Sequence, residues 1–189
     1  MHSPLNDIIT PRLILRLLGE KVTHACLASD LATAQDLLGA TIPEEFLTKV
    51  SSLEYDLRQL QHDPGYSPWA SRAIILPGEM KMMGLIRFHG SPDPHAAKPY
   101  MQDAVELGYR IFSSERRKGY AREAIMGVMN WAMEHYHMHR FIASVSPENI
   151  PSLALVQSLG FMKVDEVMDE TDGIEHVFLL DSTTTIALF

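Results

Sequence analysis

The sequence predicts a mixed α/β fold in a single domain that covers residues 1–189. Three observations lead to this prediction. Segments with strand patterns and segments with helix patterns follow each other along the whole chain. A length of 189 residues is typical of one domain. Hydrophobic residues make up 46% and charged residues 21%, which is the balance of a chain that buries a core. No repeat or linker divides the sequence.

The first third of the chain is predicted to hold one strand followed by two helices. Residues 12–18, RLILRLL, form the strand. Residues 22–38 carry small and apolar residues at mixed spacing and predict one helix. A second helix is predicted to begin near Thr41, a residue type that caps helix starts, and to run to about Gln61.

The middle of the chain predicts three strands. SRAIILP (71–77) and KMMGLIRFHG (81–90) are apolar and joined by a short turn, so they predict a hairpin. A polar loop with three prolines follows at 91–99. AVELGYRIF (104–112) then predicts the next strand.

The last third begins with the clearest helix pattern of the chain, residues 120–136, where apolar residues recur at helical spacing. RFIASVS (140–146) predicts a strand, and a short helix follows that closes at Gly160. MKVDEVM and HVFLLDS predict two closing strands, and an Asp-Gly pair, Asp172 and Gly173, marks the turn between them.

Composition and charge exclude several classes of protein. The formal net charge of −8 argues against a nucleic-acid binder and favours a cationic substrate such as an amine. Cys26 is the one cysteine, which rules out an internal disulfide and predicts a cytoplasmic protein. The N-terminus has no signal-peptide pattern, and no apolar run reaches ~18 residues, so no membrane span is expected.

One basic loop stands out in this acidic chain. In SSERRKGYAREA, Arg116, Arg117, Lys118 and Arg122 surround Gly119 just where the long helix begins. The first N–H groups of a helix have no internal partner and carry partial positive charge, so they bind anions. The loop therefore predicts a phosphate or pyrophosphate site, with a solvated basic helix start as the alternative. The sequence contains neither a P-loop pattern nor a dinucleotide-binding glycine pattern.

The same residues resemble a known family. RRKGYA (116–121) is similar to the (Gln/Arg)-x-x-Gly-x-(Gly/Ala) motif of the GNAT superfamily of N-acetyltransferases. SPENIPSLALVQSLGF resembles a block of the subgroup that includes the ribosomal-protein N-terminal acetyltransferases, and TPRLILR resembles that subgroup's opening strand. ELGYRI stands where the family has its splayed central strand. The specific resemblance covers about residues 104–162.

This resemblance implies a GNAT fold, with a mostly antiparallel sheet, two splayed parallel strands and flanking helices. It also implies acetyl-CoA as cosubstrate and no metal. The pantetheine arm would lie between the splayed strands, and the pyrophosphate would lie on the N–H groups of Arg117 to Ala121. The residues that the resemblance places at the cofactor are Ile111, Phe112, Ser113, Arg116, Arg117, Lys118, Gly119, Tyr120, Ala121, Asn149 and Ser152. Asn149 also has the pattern of a helix cap.

The implied reaction is acetyl transfer to a primary amine, either a small molecule or a protein N-terminus, by direct attack. Proximity supplies much of the rate, so no covalent intermediate on Cys26 is required. The expected roles are the N–H near Ile111 as donor to the carbonyl, Ser152 as the acid and Glu106 as the base. Glu106 as an ordinary surface carboxylate is the alternative.

Some positions depart from the family pattern or leave alternatives open. Leu155 stands where many members have a tyrosine acid, so a non-catalytic CoA-binding module or sensor is the alternative function. The histidines of HYHMH straddle a helix end and predict no metal site. Family members often form dimers, and a homodimer is one expectation. Weaker candidates for the base are the carboxylates of the last hairpin, Asp169, Glu170, Asp172 and Glu175.

Overall fold

The computed structural model describes residues 3–48, 50–169 and 173–183. Its strands form one eight-stranded sheet in the order β1-β2-β3-β4-β5-β6-β8-β7. Only β5 and β6 pair in parallel, and each other neighbouring pair in this sheet is antiparallel. The predicted mostly antiparallel sheet is therefore confirmed. The strands are β1 (Ile8–Ile9), β2 (Ile14–Leu17), β3 (Arg72–Leu76), β4 (Lys81–Phe88), β5 (Ala104–Ile111), β6 (Arg140–Val145), β7 (Met162–Asp169) and β8 (Gly173–Asp181).

Helices cover both faces of the sheet. One buried cluster joins helices α4 and α5 to one face, and a second joins α1 and α2 to the other. Cys26 is part of the second cluster at 1% exposure and is a core residue. The α-helices are α1 (Glu20–Leu27), α2 (Leu31–Leu38), α3 (Ser51–His62), α4 (Tyr120–Tyr136) and α5 (Ile150–Ser158), with short 3₁₀ helices at Glu44–Thr48, Pro64–Trp69 and Ser113–Glu115.

The prediction of one helix over 22–38 was wrong. The chain forms two helices there, because Ser29 adopts a left-handed conformation with φ 58° and ends α1. Asp30 then caps α2 by accepting a hydrogen bond from the N–H of Thr33 at 3.1 Å. Mixed apolar spacing over the whole segment hides this break.

The helix predicted to begin at Thr41 begins only at Ser51. The N–H of Thr41 donates to the carbonyl of Met80, and its own carbonyl accepts from Met82. Thr41 therefore extends along the start of β4, and a tertiary contact overrides its capping tendency. Other predicted bounds agree closely, and α4 spans the predicted residues 120–136. The turn predicted at Asp172 lies outside the described residues, as does Glu170.

A buried polar network anchors α3 beneath the end of β4. The carboxylate of Asp56, 3% exposed, accepts from the Tyr66 hydroxyl at 2.8 Å and from the N–H of Ser71 at 2.9 Å. It also lies 3.5 Å from Nη1 of Arg87. A buried charge paired in this way holds its neighbours in place, since leaving it unpaired would be costly. The Tyr55 hydroxyl donates to the carbonyl of His89 and fixes the residue that follows β4.

Candidate functional site

The parallel strands β5 and β6 separate after a short stretch of pairing. They pair only at three positions, Ala104 with Arg140, Val105 with Phe141 and Glu106 with Ile142. Beyond these, β5 continues along β4 while β6 continues along β8. The strands therefore fork and leave a cleft of about 360 Å³ between them. Its lining residues are His89, Leu107, Gly108, Tyr109, Ala143, Ser144, Val145, Ser146, Asn149, Ser152 and Glu175.

The backbone of β5 faces this cleft at alternate residues. The carbonyl of Glu106 accepts from the N–H of His89, and the N–H of Phe112 donates to Met83, so these residues bond toward β4. In an antiparallel ladder the intervening residues point their N–H and C=O groups the other way. The backbone groups of Leu107, Tyr109 and Ile111 therefore lie on the cleft side, where β6 has moved away.

The end of β5 carries the three residues predicted to hold the cofactor arm. The hydrogen-bonding pattern between β4 and β5 leaves the backbone of Ile111 facing the cleft. The carbonyl of Ile111 accepts a hydrogen bond from Nε of Arg116 at 3.1 Å. Phe112 differs, because its N–H bonds to Met83 and its ring lies in the second core cluster. The N–H and hydroxyl of Ser113 donate to the carboxylate of Glu45, which lowers the pKa of Glu45.

The basic loop leads directly into α4. Gly119, with φ 82°, is the N-cap residue of α4, and Arg117 before it has φ 60°. Within the described chain, the backbone N–H groups of residues 117–121 donate no hydrogen bond. Unpaired N–H groups at the positive end of a 17-residue helix form a site for an anion.

Arg12 brings a further positive charge to this helix start. Its Nη1 donates to the carbonyl of Lys118 at 3.0 Å, its guanidinium lies 5.2 Å from the ring centre of Tyr120, and its Nε pairs with Glu123 at 2.6 Å. A Cβ added to Gly119 would stand 3.2 Å from Nη2 of Arg12. A glycine here thus allows both the left-handed backbone and the close approach of Arg12.

Glu115 links the basic loop to the start of β4 through two ion pairs. Its side chain is 8% exposed and bonds to Nζ of Lys118 and of Lys81, each at 2.8 Å. These hydrogen bonds, that of Lys118 first, lower the pKa of Glu115 to about 2, although burial opposes them. The ammonium group of Lys118 is therefore held against Glu115.

The Glu115 contacts predict a pH-dependent stability. A carboxyl group whose pKa falls on folding stabilises the protein above its unfolded pKa, near 4.5, and loses that effect as pH falls toward 2. We expect Glu115→Gln to lower Tm at pH 7 by about 2–4 °C, the shift that about 1 kcal/mol produces in a chain of this size. In thermal unfolding curves, the difference in Tm between the variant and the wild type should shrink as the pH falls from 4.5 to 2. Glu134→Gln, at an exposed carboxylate of α4, is the matched control. A difference that stays constant with pH would contradict the assignment.

The start of α5 lines the other wall of the cleft. Asn149 caps this helix, since its Oδ1 accepts from the N–H of Ser152 at 3.3 Å. Both residues line the cavity, so the capping role leaves Asn149 at the cleft. The hydroxyl of Tyr109 on β5 is buried near Ser152, and no hydrogen bond of normal geometry is found for it among the described residues.

Glu106 has a histidine neighbour that sequence patterns did not single out. His89 and Glu106 lie opposite each other across β4 and β5, so their side chains share a face of the sheet. Nδ1 of His89 is 3.8 Å from Oε1 of Glu106. The imidazole covers Gly108, where an added Cβ would stand 2.4 Å from Nε2 of His89. The pair lies on the face opposite Tyr109.

The environment of His89 favours its neutral form. The side chain keeps 47% of its surface exposed, so burial removes only part of its hydration. This desolvation lowers the pKa of His89 below its usual value, while the charge of Glu106 opposes the shift. A neutral imidazole beside a carboxylate can accept a proton near pH 7.

A larger groove of about 1010 Å³ lies on the other flank of α4, against residues 3–12. Its charged groups are largely paired, because Glu123 bonds to Thr10 and Arg12 while Asp7 bonds to Arg16. The forked cleft instead presents backbone groups that the sheet leaves unpaired. The smaller cavity is therefore the candidate site for the reaction, while Gly119 at the start of α4 borders the larger groove.

Four contributors to the site went unnoticed in the sequence: Arg12, Glu45, His89 and Tyr109. Arg12 and Glu45 lie far along the chain from the loop they contact, and no local spacing signals such contacts. His89 directly follows the apolar run of β4, and Tyr109 stands within ELGYRI. For each residue, the position at or next to a predicted strand was a weak indication of a role in the site. No group of three metal-ligating side chains occurs in the described ranges, and no helix there is long and apolar enough to cross a membrane.

Comparisons with known proteins agree with this geometry. The model of the family described as acetyltransferase (GNAT) domain matches residues 12–162. The protein of Bacillus subtilis called uncharacterized N-acetyltransferase YnaD is 29% identical over 90 residues, which cover 48% of each chain. The chain thus spans about half the length of the curated relatives that it first matches.

Solved structures extend the likeness over nearly the whole chain. RimJ of Mycobacterium smegmatis, in complex with CoA-disulfide, is 20% identical, with a TM-score of 0.66 and coverage of 99% of this chain and 93% of that one. A ribosomal-protein-S5-alanine acetyltransferase from Vibrio fischeri is 17% identical, with a TM-score of 0.64 and coverage of 96% and 100%. At these identities the likeness concerns the fold.

Proposed function

The chain belongs to the GNAT acetyltransferase family, and from this premise we propose that it transfers the acetyl group of acetyl-CoA to a primary amine. The forked cleft between β5 and β6 carries the proposal, because it presents strand backbone that the sheet leaves unpaired, and β5 leads through residues 112–119 to an anion-binding helix start. Acetyl-CoA would supply an activated acetyl thioester there. We propose one transferase domain for the whole chain.

The residues at the start of α4 fit a pyrophosphate. The N–H groups of residues 117–121 donate to no partner within the described chain, and Gly119 lets an oxyanion approach them closely. The loop residues Arg116 and Arg117 add positive charge, and Arg12, whose guanidinium pairs with Glu123, lies beside Gly119. We propose that these groups hold the pyrophosphate of the cofactor.

The cleft fits an amide-containing arm. Amide groups can pair with the backbone of Tyr109 and Ile111 as β6 would have done had the strands stayed together. Asn149 reaches the same space from the start of α5. The N–H of Ser113 can take part only after the Glu45 carboxylate moves away, because it already donates to that group.

We propose that the acceptor amine enters from the face that carries His89 and Glu106. The amine must be neutral when it attacks, and the neutral imidazole of His89 can remove its proton. The carboxylate of Glu106 then stabilises the imidazolium that forms at 3.8 Å from it. The N–H of Ile111 donates to the carbonyl oxygen as negative charge develops there.

Direct attack by the amine agrees with the surroundings of Cys26. Burial raises the pKa of its thiol to about 11, so a thiolate nucleophile is not available at neutral pH. Cys26 also lies in the second core cluster, away from the residues that line the cleft.

The acceptor belongs to one of two classes, a small-molecule amine or a protein N-terminus. The Vibrio fischeri relative is called a ribosomal-protein-S5-alanine acetyltransferase, which makes a protein N-terminus worth testing first. The formal net charge of −8 favours cationic acceptors of either class. A homodimer and a cytoplasmic location stay predictions.

The test is calorimetry with acetyl-CoA, followed by release of free thiol in the presence of an amine panel. The panel should contain alanyl and seryl peptides, amino acids, polyamines and aminoglycosides. We expect acetyl-CoA binding and acceptor-dependent thiol release. Binding without turnover on any acceptor would favour the alternative of a CoA-binding sensor, and no binding at high micromolar concentrations would overturn both.

A further inference from the structure

Tyr109 carries a hydroxyl that the chemistry described above does not use. Side chains alternate along β5, and Tyr109 points to the face of α4 and α5, where it packs against the first core cluster. Its oxygen is buried and has no hydrogen-bond partner among the residues described. A buried hydroxyl without a partner is costly and calls for an explanation. Tyr109 also lines the forked cleft, together with Ser152.

Ser152 is the polar neighbour of this phenol. Burial raises the pKa of Tyr109, and interaction with the Ser152 hydroxyl opposes part of this rise, which is the effect of a group that stabilises the phenolate. The two side chains interact, but the geometry between their oxygens does not meet that of a hydrogen bond. The O–H of Tyr109 is buried at the wall of the cleft that Ser152 also lines, so it can donate to a group that enters there beside Ser152.

Acetyl transfer creates a need that this hydroxyl can meet. The leaving thiolate must receive a proton, and proton transfer is most efficient between groups of similar pKa. The pKa of a free phenol is about 10 and that of a free thiol is about 8.5. Although burial raises the pKa of Tyr109, a phenol remains a much stronger acid than the aliphatic hydroxyl of Ser152. Leu155, where many family members have a tyrosine, packs against the core and offers no proton.

We propose that Tyr109 donates the proton to the departing thiolate and that Ser152 stabilises the resulting phenolate. This inference rests on the proposed acetyl transfer. The amine nitrogen forms a bond to the acetyl carbon, the carbon–sulfur bond breaks, and its electron pair stays on sulfur. The phenol proton moves to sulfur, while the amine proton moves to His89. Water restores the phenol after the products leave.

The first experiment measures binding and needs no turnover. Calorimetry compares CoA with desulfo-CoA, in which hydrogen replaces the thiol, for the wild type, Tyr109→Phe and Tyr136→Phe. We expect the wild type to prefer CoA by about 2–10-fold, the effect of one hydrogen bond. Tyr109→Phe should lose this preference. Tyr136→Phe, a control at the far end of α4, should keep it.

The second experiment separates proton donation from packing. Tyr109→Phe should lower kcat by about 100-fold, the contribution of one general acid, while the Kd for acetyl-CoA stays within twofold. With 3,5-difluorotyrosine at position 109, a more acidic phenol, the decline of kcat at high pH should move to lower pH. A purely structural tyrosine would leave this decline where it was.

The outcomes distinguish the two levels of the proposal. If the wild type binds CoA and turns over, but Tyr109→Phe keeps both the CoA preference and kcat within threefold, the role of Tyr109 is overturned and acetyl transfer stands. If the wild type does not bind CoA, the proposed function fails and this inference fails with it.

Discussion

Gly119→Glu is expected to weaken acetyl-CoA binding by at least about 100-fold. The new carboxylate would stand at the start of α4, where the N–H groups of residues 117–121 are proposed to hold a pyrophosphate. Like charges brought together in a binding site cost several kcal/mol, and each 1.4 kcal/mol is tenfold in Kd. Calorimetry with acetyl-CoA measures the effect. If Gly119→Glu binds acetyl-CoA more weakly at low salt than a neutral variant does, the loss of affinity is electrostatic in origin.

Two further variants separate charge from strain in this experiment. Gly119→Gln has the same size and the same unfavourable φ of +82°, but no charge, so the ratio of the two Kd values isolates the carboxylate. Gly78→Glu places a carboxylate in the exposed turn after β3, where an added Cβ meets nothing within 4 Å, and should bind like the wild type. Equal Kd values for Gly119→Glu and Gly119→Gln would refute the pyrophosphate assignment.

His89→Ala is expected to lower kcat by about 10²–10⁴-fold, the range for loss of a general base, with acetyl-CoA binding unchanged. His89 lies on the acceptor side of the cleft beside Glu106, and Tyr109 lies on the opposite side. Steady-state kinetics and calorimetry of the same preparation measure the two quantities. His62→Ala, at the exposed end of α3, is the control and should keep kcat.

The pH profile of Glu106→Gln identifies which member of the pair is the base. The pKa of His89 already lies below its usual value, so the base is competent at pH 7 and loses activity as pH falls through that pKa. The charge of Glu106 raises the pKa of His89, so its removal should move the acid limb of kcat/KM to lower pH. Comparing variant and wild type with one acceptor cancels the ionisation of the acceptor itself.

A different pattern would assign the proton transfer to Glu106. If Glu106→Gln lost most of its activity at all pH values while His89→Ala kept it, Glu106 would be the base, as its position in the sequence first suggested. If both variants kept kcat within threefold, the pair would have no part in the reaction, and the acceptor would have to enter elsewhere.

Much of the fold was accessible because its signals are local. The apolar spacing of residues 120–136 specifies α4, since packing of one helix face on the sheet requires that spacing over five turns. The break at Ser29 and the extended chain at Thr41 were missed. In both places one left-handed residue or one contact with β4 outweighed the average pattern of the segment.

The order of the elements, the family resemblance and the glycine at the start of α4 follow from the sequence, because they depend on residues that are neighbours in the chain. The contacts of the site follow from the tertiary fold. The register of β4 on β5 brings His89 to Glu106, and the approach of the N-terminal segment to α4 brings Arg12 to Gly119. The fork between β5 and β6 exposes Tyr109 to Ser152. The strand register, the approach of the N-terminal segment to α4 and the divergence of β5 from β6 arise from packing across the whole sheet. No local stretch of sequence therefore encodes them.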